Sequence, residues 1–445
     1  MSDIDEARRR LEAVFRGEHA RVVGALMRRF GDLDVAQDAA AEAYEVALRR
    51  WPRDGVPPNP GAWLTTTATR KALDRLRRES GRAPKEEEAY GMIAADQQPL
   101  GAVDDDRLRL LFLCCHPALA FENRVALTLR FVAGLSTVQI ARAFLVPDRT
   151  MAQRITRAKR KIRDARIPFR VPGRDDLPER LSGVLAVLYL VFNEAYLSSE
   201  GPDSAGEDAA RRDQDEDAAR RDQDEDAAPA GTEVGEPGVR DDLAAEAIRL
   251  TRLLVELMPA EPEAQGLLAL MLLTHARRRA RIVAGALVPL DEQDRRRWDV
   301  DLIAEGHVMV RALLAIGSPG PYQVQAAIAA VHTDTVGPGG SARDVDWAQV
   351  VALYDLLLTL APSPVAALNR AIALSHVEGP DAALRIVDGL DLPAYHPWHV
   401  ARSDLLQRSG KPVAAREALD RALALATNPL ERAHLLGRRR DLSGP

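Results

Sequence analysis

Cysteine is scarce in this chain. The two cysteines in 445 residues are neighbours, Cys114 and Cys115. They cannot staple a chain of this size, so a reducing cytoplasm is the expected compartment. Aromatic residues reach only 4%, which weakens any case for a large sheet, since strands draw on aromatic and β-branched side chains. The longest apolar run, Val184 to Phe192, is far short of the ~20 residues that cross a bilayer. The N-terminus is polar, without a signal-peptide core, and no membrane partner is expected. The chain has no Gly-rich phosphate loop ending in Lys-Ser or Lys-Thr and no HExxH pair. Cys114-Cys115-His116 invites a metal reading, but adjacent thiols on a helix point apart and no second pair completes a tetrahedral site. The expectation is buried thiols, no metal, no cofactor and no enzymatic activity.

The residues present describe an all-α protein. Apolar residues make up 46% and charged residues 28%, a globular balance, and at this length two to four domains are expected. The net charge of −6 is unevenly spread. Between Glu200 and Gly238 fourteen acidic residues face four arginines, whereas between Arg142 and Arg170 ten Lys and Arg face two Asp.

That basic stretch organises the chain. From Gly134 to Arg166 it reads as two helices joined by a tight turn. Ser136 followed by Gln139 is a capping-box start, and Pro147 suits the first turn of the second helix. Met151, Ile155, Ala158 and Ile162 recur at helical spacing, so one face is buried. Arg149, Gln153, Arg154 and Arg157 fall on the other side. A helix with one packed face and one cationic, amide-bearing face is what entry into a DNA major groove requires. A solvated charged helix is the bland alternative.

Upstream, Leu11, Phe15, Val22, Leu26 and Phe30 mark one buried helical face, and Asp34 to Trp51 form the next helix. There Asp38 and Glu42 make an exposed acidic pair, with Tyr44 and Leu48 turned inward. Pro52–Gly61 is too rich in Pro and Gly to be helical. A helix from near Ala62 to Arg78 carries a second cationic cluster, with Trp63, Leu73 and Leu76 available for packing. The organisation expected is a helical domain at 1–78, a flexible linker at 79–105, a second helical domain at 106–170, an apolar connecting helix within 171–199, an acidic disordered insert at 200–240, and a helical repeat domain at 241–445. The insert repeats EDAARRDQD in tandem, a pattern with no apolar face.

The arrangement resembles a bacterial RNA polymerase sigma factor of the extracytoplasmic-function (ECF) type, which keeps only the second and fourth sigma domains. DVAQDAAAEAYEVALRRW resembles the helix that docks on the polymerase clamp, which implies polymerase contacts for Asp38 and Glu42. PGAWLTTTATRKALDRLRR resembles the helix that engages the −10 element and implies roles for Arg70, Lys71, Asp74, Arg75 and Arg78. The preceding loop occupies the place of base capture, with Asn59 the candidate. LSTVQIARAFLVPDRTMAQRITRAKRKIR resembles the −35-reading helix-turn-helix, with Leu145 where a Gly is common. That likeness implies DNA contacts for Arg149, Thr150, Gln153, Arg154, Arg157, Arg160 and Lys161. Core RNA polymerase, at its clamp region and flap, and promoter DNA are the implied partners, and no catalytic group is needed.

The last 200 residues read as helix pairs. In the clearest, WHVARSDLLQRSGKPVAAREALDRALALATNP, the small residues Ser403, Gly410, Ala415 and Ala422 stand where a tetratricopeptide (TPR) repeat needs close helix packing, and Leu406 and Leu419 fill the core between. The whole chain resembles a subgroup of ECF factors with such an extension. That likeness implies that the extension modulates sigma activity and takes a protein or peptide partner. Two rival readings stay open: a helix-turn-helix activator that never joins polymerase, and a TPR scaffold with a vestigial DNA-binding module.

Overall fold

The computed structural model describes residues 3–79, 105–144, 146–197, 239–283, 286–334 and 345–442. Nearly all of the 79–105 linker and of the acidic insert, and Leu145 in the helix turn, lie outside the described residues. Within them the chain is helical, and its strands are a two-residue antiparallel pair, Ile282–Val283 with Ala286–Leu287. The chain divides into two compact units, one of Met1–Glu194 with Ala245–Met258 and one of the remainder.

In the first unit α1 (Asp3–Phe30), α2 (Leu33–Asp54) and α3 (Pro60–Glu79) pack on one another. Asp32 caps α2, its carboxylate accepting from the Asp34 and Val35 amides. The buried stripe of α2 is almost pure alanine, at positions 36, 39, 40, 43 and 47, closed by Trp51. Small side chains let α1 and α3 approach closely. Leu48 does not turn inward as its spacing suggests. It is half exposed, because the alanine stripe lies on the adjoining face. Helix α2 also runs through Pro52 to Asp54 and ends at Gly55 (φ 80°), so the loop is shorter than its prolines suggest. Leu64, Ala68 and Ala72 form the buried row of α3, with Leu73 and Leu76 only partly covered.

Helix α4 (Asp106–Cys114) packs against α1, and Gly24 is the point of closest approach. A Cβ there would stand 2.8 Å from the Asp106 carbonyl oxygen. The groups at 1–78 and 106–170 are thus one packed body. Helix α5 (Phe121–Leu127) runs into a π-helical turn at Thr128–Val132, then α6 (Thr137–Ala143) and α7 (Asp148–Asp164) follow. Cys114 and Cys115 are buried in this core, where burial pushes the Cys115 thiol up to about 11. The Cys115 thiol also meets the Thr128 hydroxyl at 3.4 Å. Helix α8 (Leu177–Leu197) buries Leu181, Val184, Leu188 and Phe192, and the Arg180 guanidinium donates to the Phe112 carbonyl. Helix α9 (Val239–Leu257) divides at Ala245, and its later part belongs to this unit, whereas the sequence reading assigned everything from 241 to the C-terminal domain.

The second unit is a succession of helix pairs. Helix α10 (Pro262–His275) is apolar on nearly every side and mostly buried, with Pro262, Glu263, Gln265 and Thr274 partly covered, as a central helix must be. It packs against α12 (Val300–Ile316) and α13 (Pro321–Thr333), the short α11 (Arg278–Arg281) intervening in sequence. Gly266 permits the α10–α13 crossing, since a Cβ would meet the Gln323 amide nitrogen at 2.7 Å. Glu263 of α10 accepts from the Tyr322 and Gln323 amides and so caps α13. Helices α14 (Trp347–Leu360), α15 (Pro364–Val377), α16 (Pro380–Asp388), α17 (His396–Arg408), α18 (Pro412–Leu425) and α19 (Pro429–Asp441) each pack on the next. Ser403 bridges α17 to α18, its hydroxyl donating to the Ala415 carbonyl at 2.8 Å. Ala415, Leu419 and Ala422 are fully buried behind it. Gly410 serves differently from its expected packing role: it is exposed at φ 72°, where it makes the turn.

Candidate nucleic-acid interface

The capping box that opens α6 is complete. The Gln139 amide donates to the Ser136 hydroxyl at 3.2 Å, and the Ser136 amide to the Gln139 side chain at 2.8 Å. Pro147 takes the N-cap position of α7 rather than its first turn (φ −57°). Met151, Ile155, Ala158 and Ile162 are all buried, worth about 1.5–3 kcal/mol for each of the larger side chains. That stripe fixes the rotation of α7 and leaves its opposite face to solvent. Arg149, Thr150, Gln153, Arg157, Arg160 and Lys161 are exposed there, and Arg154 is partly covered. Among the described residues these seven side chains make no hydrogen bond or ion pair. A row of unengaged guanidinium, ammonium and amide groups on one helix can take phosphates or base edges without first breaking an internal bond.

The cations of α3 are arranged otherwise. Arg75 donates to Asp38 at 2.5 Å, and Lys71 stands 3.5 Å from Glu42. The two groups that sequence reading assigned to different partners are therefore paired with each other. Arg70 and Asp74 are exposed, and Arg78 is exposed with its Nε donating to the Asp74 carbonyl. Asn59 has a local task as the cap of α3: its carbonyl oxygen accepts from the Ala62 amide at 3.0 Å, while the residue stays exposed.

The acidic face of α2 is longer than the pair the sequence singled out. Asp34, Asp38 and Glu42 lie one turn apart, and Asp34 accepts from Lys159 of α7. Arg163 of α7 lies 4.0 Å from Asp32. One carboxylate stripe thus holds cations of both basic helices, α3 beside it and the C-terminal end of α7. Sequence reading missed Asp34 and Lys159. The available signals were the four-residue period 34–38–42 and the place of Lys159 beside the buried Ala158.

Beneath this junction His19 is buried against Gly134 (φ 80°), the residue that precedes the helix-turn-helix. A Cβ at Gly134 would lie 2.9 Å from the imidazole ring. Burial first, then the Arg130 guanidinium, lower the His19 pKa to about 4. The neutral ring shares a 2.9 Å hydrogen bond between its Nδ1 and the Tyr44 hydroxyl. Among the described residues no group of three or more His, Cys, Asp or Glu side chains is placed to hold a metal ion, and no helix is long and apolar enough to cross a membrane.

Comparison with known proteins places these elements. Residues 14–82 match the model of sigma-70 region 2, residues 109–162 that of sigma-70 region 4, and residues 231–314 a family of unknown function (DUF6596). The chain is 43% identical over 425 residues to an uncharacterized protein of Rhizobium meliloti (strain 1021), covering 93% of this chain and 92% of that one. It is 30% identical over 164 residues to the probable ECF RNA polymerase sigma factor SigI of Mycobacterium tuberculosis (strain CDC 1551 / Oshkosh), covering 35% of this chain and 56% of the relative. Over 151 residues it is 29% identical to the ECF RNA polymerase sigma factor SigK of Mycobacterium bovis (strain BCG), covering 33% and 79%. No solved structure matches. The two region matches coincide with α1–α3 and α4–α7, the helices that carry the two cationic rows.

Proposed function

Because this chain belongs to the ECF sigma factors of bacterial RNA polymerase, with a C-terminal extension, we propose that each of the contacts described has a defined place in initiation. As a sigma factor it binds core polymerase and promoter DNA and performs no chemistry itself. In our reading Asp38 and Glu42 contact the polymerase clamp, and sigma-70 region 4 meets the flap. Arg70, Lys71, Asp74, Arg75 and Arg78 engage the −10 element, and Asn59 stands at the site of base capture. Arg149, Thr150, Gln153, Arg154, Arg157, Arg160 and Lys161 read the −35 element. The observation that carries the reading is the unengaged cationic row of α7, set opposite a fully buried stripe.

The mechanism follows from these charges. Lys and Arg on phosphates supply salt-sensitive affinity and set the register of the protein on the duplex. A bidentate contact to a base edge adds discrimination of about 1–3 kcal/mol. Opening the −10 region unstacks bases, and capture of an extruded base offsets a cost of a few kcal/mol. Polymerase and DNA must also take over the charges that Asp38–Arg75 and Glu42–Lys71 satisfy between themselves, which couples the two binding events.

We further assign the C-terminal helix pairs to a TPR-like domain that modulates the sigma regions and receives a protein or peptide partner. The repeated packing of α14 to α19, with Ser403 and Ala415 at a close crossing, supports the assignment. Pull-down with core polymerase tests the first proposal: a stoichiometric complex that competes with the housekeeping sigma factor is expected. Promoter binding without such a complex would leave a helix-turn-helix activator instead. For the second, a protease site inserted between 204 and 236 keeps the buried helix α8 intact. In vitro transcription on several promoters should change on cleavage, and unchanged activity on all of them would sink the regulatory assignment.

A further inference from the structure

In the second unit a cavity of about 770 Å³ opens between α13, α14, α15, α17 and the turn that carries Arg295. Its volume is that of a small-molecule site, which typically runs from roughly 300 to 1,000 Å³. One wall is aromatic: the Trp347 and His376 rings stack at 3.9 Å and 7°, and His332 meets Trp347 edge-on at 5.5 Å. Leu290, Val345, Val350 and Ile372 add apolar surface around it. Two polar groups on the wall have spare hydrogen-bonding capacity. Among the described residues the Asn369 side chain makes no hydrogen bond, and the Nδ1 of His332 is buried without a partner. A side-chain amide offers donor and acceptor side by side, the arrangement with which asparagine grips the edge of a planar base through two hydrogen bonds.

The charges that line the cavity cancel. Arg295 and Arg408 are two guanidinium groups set against the two carboxylates of Asp291 and Asp404. At one end the ions also satisfy each other. Arg408 donates to the hydroxyl and carbonyl of Ser375 at 2.9 and 3.0 Å and to Asp404 at 3.4 Å. Arg438, from outside the cavity, donates to the other oxygen of Asp404 at 3.3 Å. Both imidazoles are held neutral. Burial, then Arg277 and Arg295, lower the His332 pKa to about 4, and burial, then Arg408, lower that of His376. A guest of either charge would upset this balance, whereas a neutral one keeps it. We propose that this cavity binds a small neutral heteroaromatic lactam, its ring face against the aromatic wall and its adjacent N–H and C=O paired with the Asn369 amide. The argument rests on the cavity alone and stands whether or not the domain modulates the sigma regions.

Calorimetric titration of the full chain with isocarbostyril, the lactam of isoquinoline, provides the test. The probe is neutral and planar and carries both amide groups on one edge. One molecule per chain is expected, with an affinity that does not change across a salt series. N-methylisocarbostyril, which lacks the N–H, should bind about tenfold more weakly, the effect of about one hydrogen bond. N-methylisoquinolinium, the same rings bearing a positive charge, should bind more weakly than isocarbostyril as well. Asn369→Leu should abolish the preference for the lactam over its N-methyl analogue, and Trp347→Leu should weaken both alike. Arg421→Gln, beside a different cavity, should bind like the parent, and thermal melting reports that each variant is folded. No stoichiometric binding, equal binding of the three probes, or a preference retained in folded Asn369→Leu would overturn the proposal.

Discussion

Helices α3 and α7 are both amphipathic and both basic, yet they hold their charge in different states. Among the described residues Arg149, Arg154, Arg157, Arg160 and Lys161 of α7 make no ion pair, whereas Lys71 and Arg75 of α3 are spent on Glu42 and Asp38. A −35 reader can act as a preformed surface, because duplex DNA presents its phosphates and major-groove edges without rearrangement. On the proposed assignment α3 acts on DNA that must be opened, and pairing Lys71 and Arg75 internally is expected to suppress binding to arbitrary duplex. The difference is one of availability rather than of composition.

The largest break in the comparison comes from α7. Arg154→Glu with Arg157→Glu removes two charge-assisted contacts of roughly 1.5 kcal/mol each. Affinity for a −35 promoter fragment is expected to fall about a hundredfold, and the slope of log K against log salt to flatten. Fluorescence anisotropy across a salt series measures both. Unaltered binding would mean that the α7 face does not read DNA, and would revive the scaffold reading.

Acid should loosen the body that holds the two helices together. His19 has a pKa of about 4 in the folded protein against about 6.5 when unfolded. Below pH 6.5 the unfolded chain gains a proton that the folded ring refuses. Stability from this group is therefore complete above pH 6.5, declines as pH falls and levels off near pH 4. Between pH 7.5 and 5 the loss is roughly 2 kcal/mol. Hydrogen exchange of peptides from α1 and α5 follows it, and His19→Gln should remove most of the slope.

Charge removal on α2 sharpens the contrast directly. Asp38→Asn with Glu42→Gln is expected to weaken core polymerase binding about tenfold, or ~1.4 kcal/mol. The same change frees Arg75 and Lys71 from the stripe, so affinity for non-specific duplex should rise several-fold and its salt slope steepen by one to two phosphates. Polymerase pull-down and DNA titration must move in opposite directions. Movement of both downward would refute the idea that the stripe shields α3.

The sequence made much of this legible because helical period and capping are local. Met151, Ile155, Ala158 and Ile162, with the Ser136–Gln139 box, follow from spacing alone. Leu48 misled because the face of α2 is decided by which side chains are small enough for close approach, and alanines at both i+3 and i+4 leave two faces equally apolar. The pairing of Asp34 with Lys159 joins residues 125 positions apart, and no local pattern encodes which exposed acid a distant lysine will meet. Asn59 shows another limit: the resemblance assigned it to base capture, and only the structure shows its side chain capping α3.

The smallest effect concerns that same distant pair. Lys159 is mostly covered while Asp34 is 45% exposed, so half of the pair remains in water and its contribution to stability should be under ~1 kcal/mol. Lys159→Ala, Asp34→Ala and the double variant form a cycle in urea unfolding, with a coupling below that value expected. The informative readout is DNA binding. If the stripe holds the end of α7 as it holds α3, Asp34→Ala should strengthen non-specific binding only slightly, because the other α7 cations, Arg163 beside Asp32 excepted, already make no ion pair among the described residues. An increase as large as that from Asp38→Asn with Glu42→Gln would show α7 restrained as tightly as α3, and the distinction between the two helices would fall.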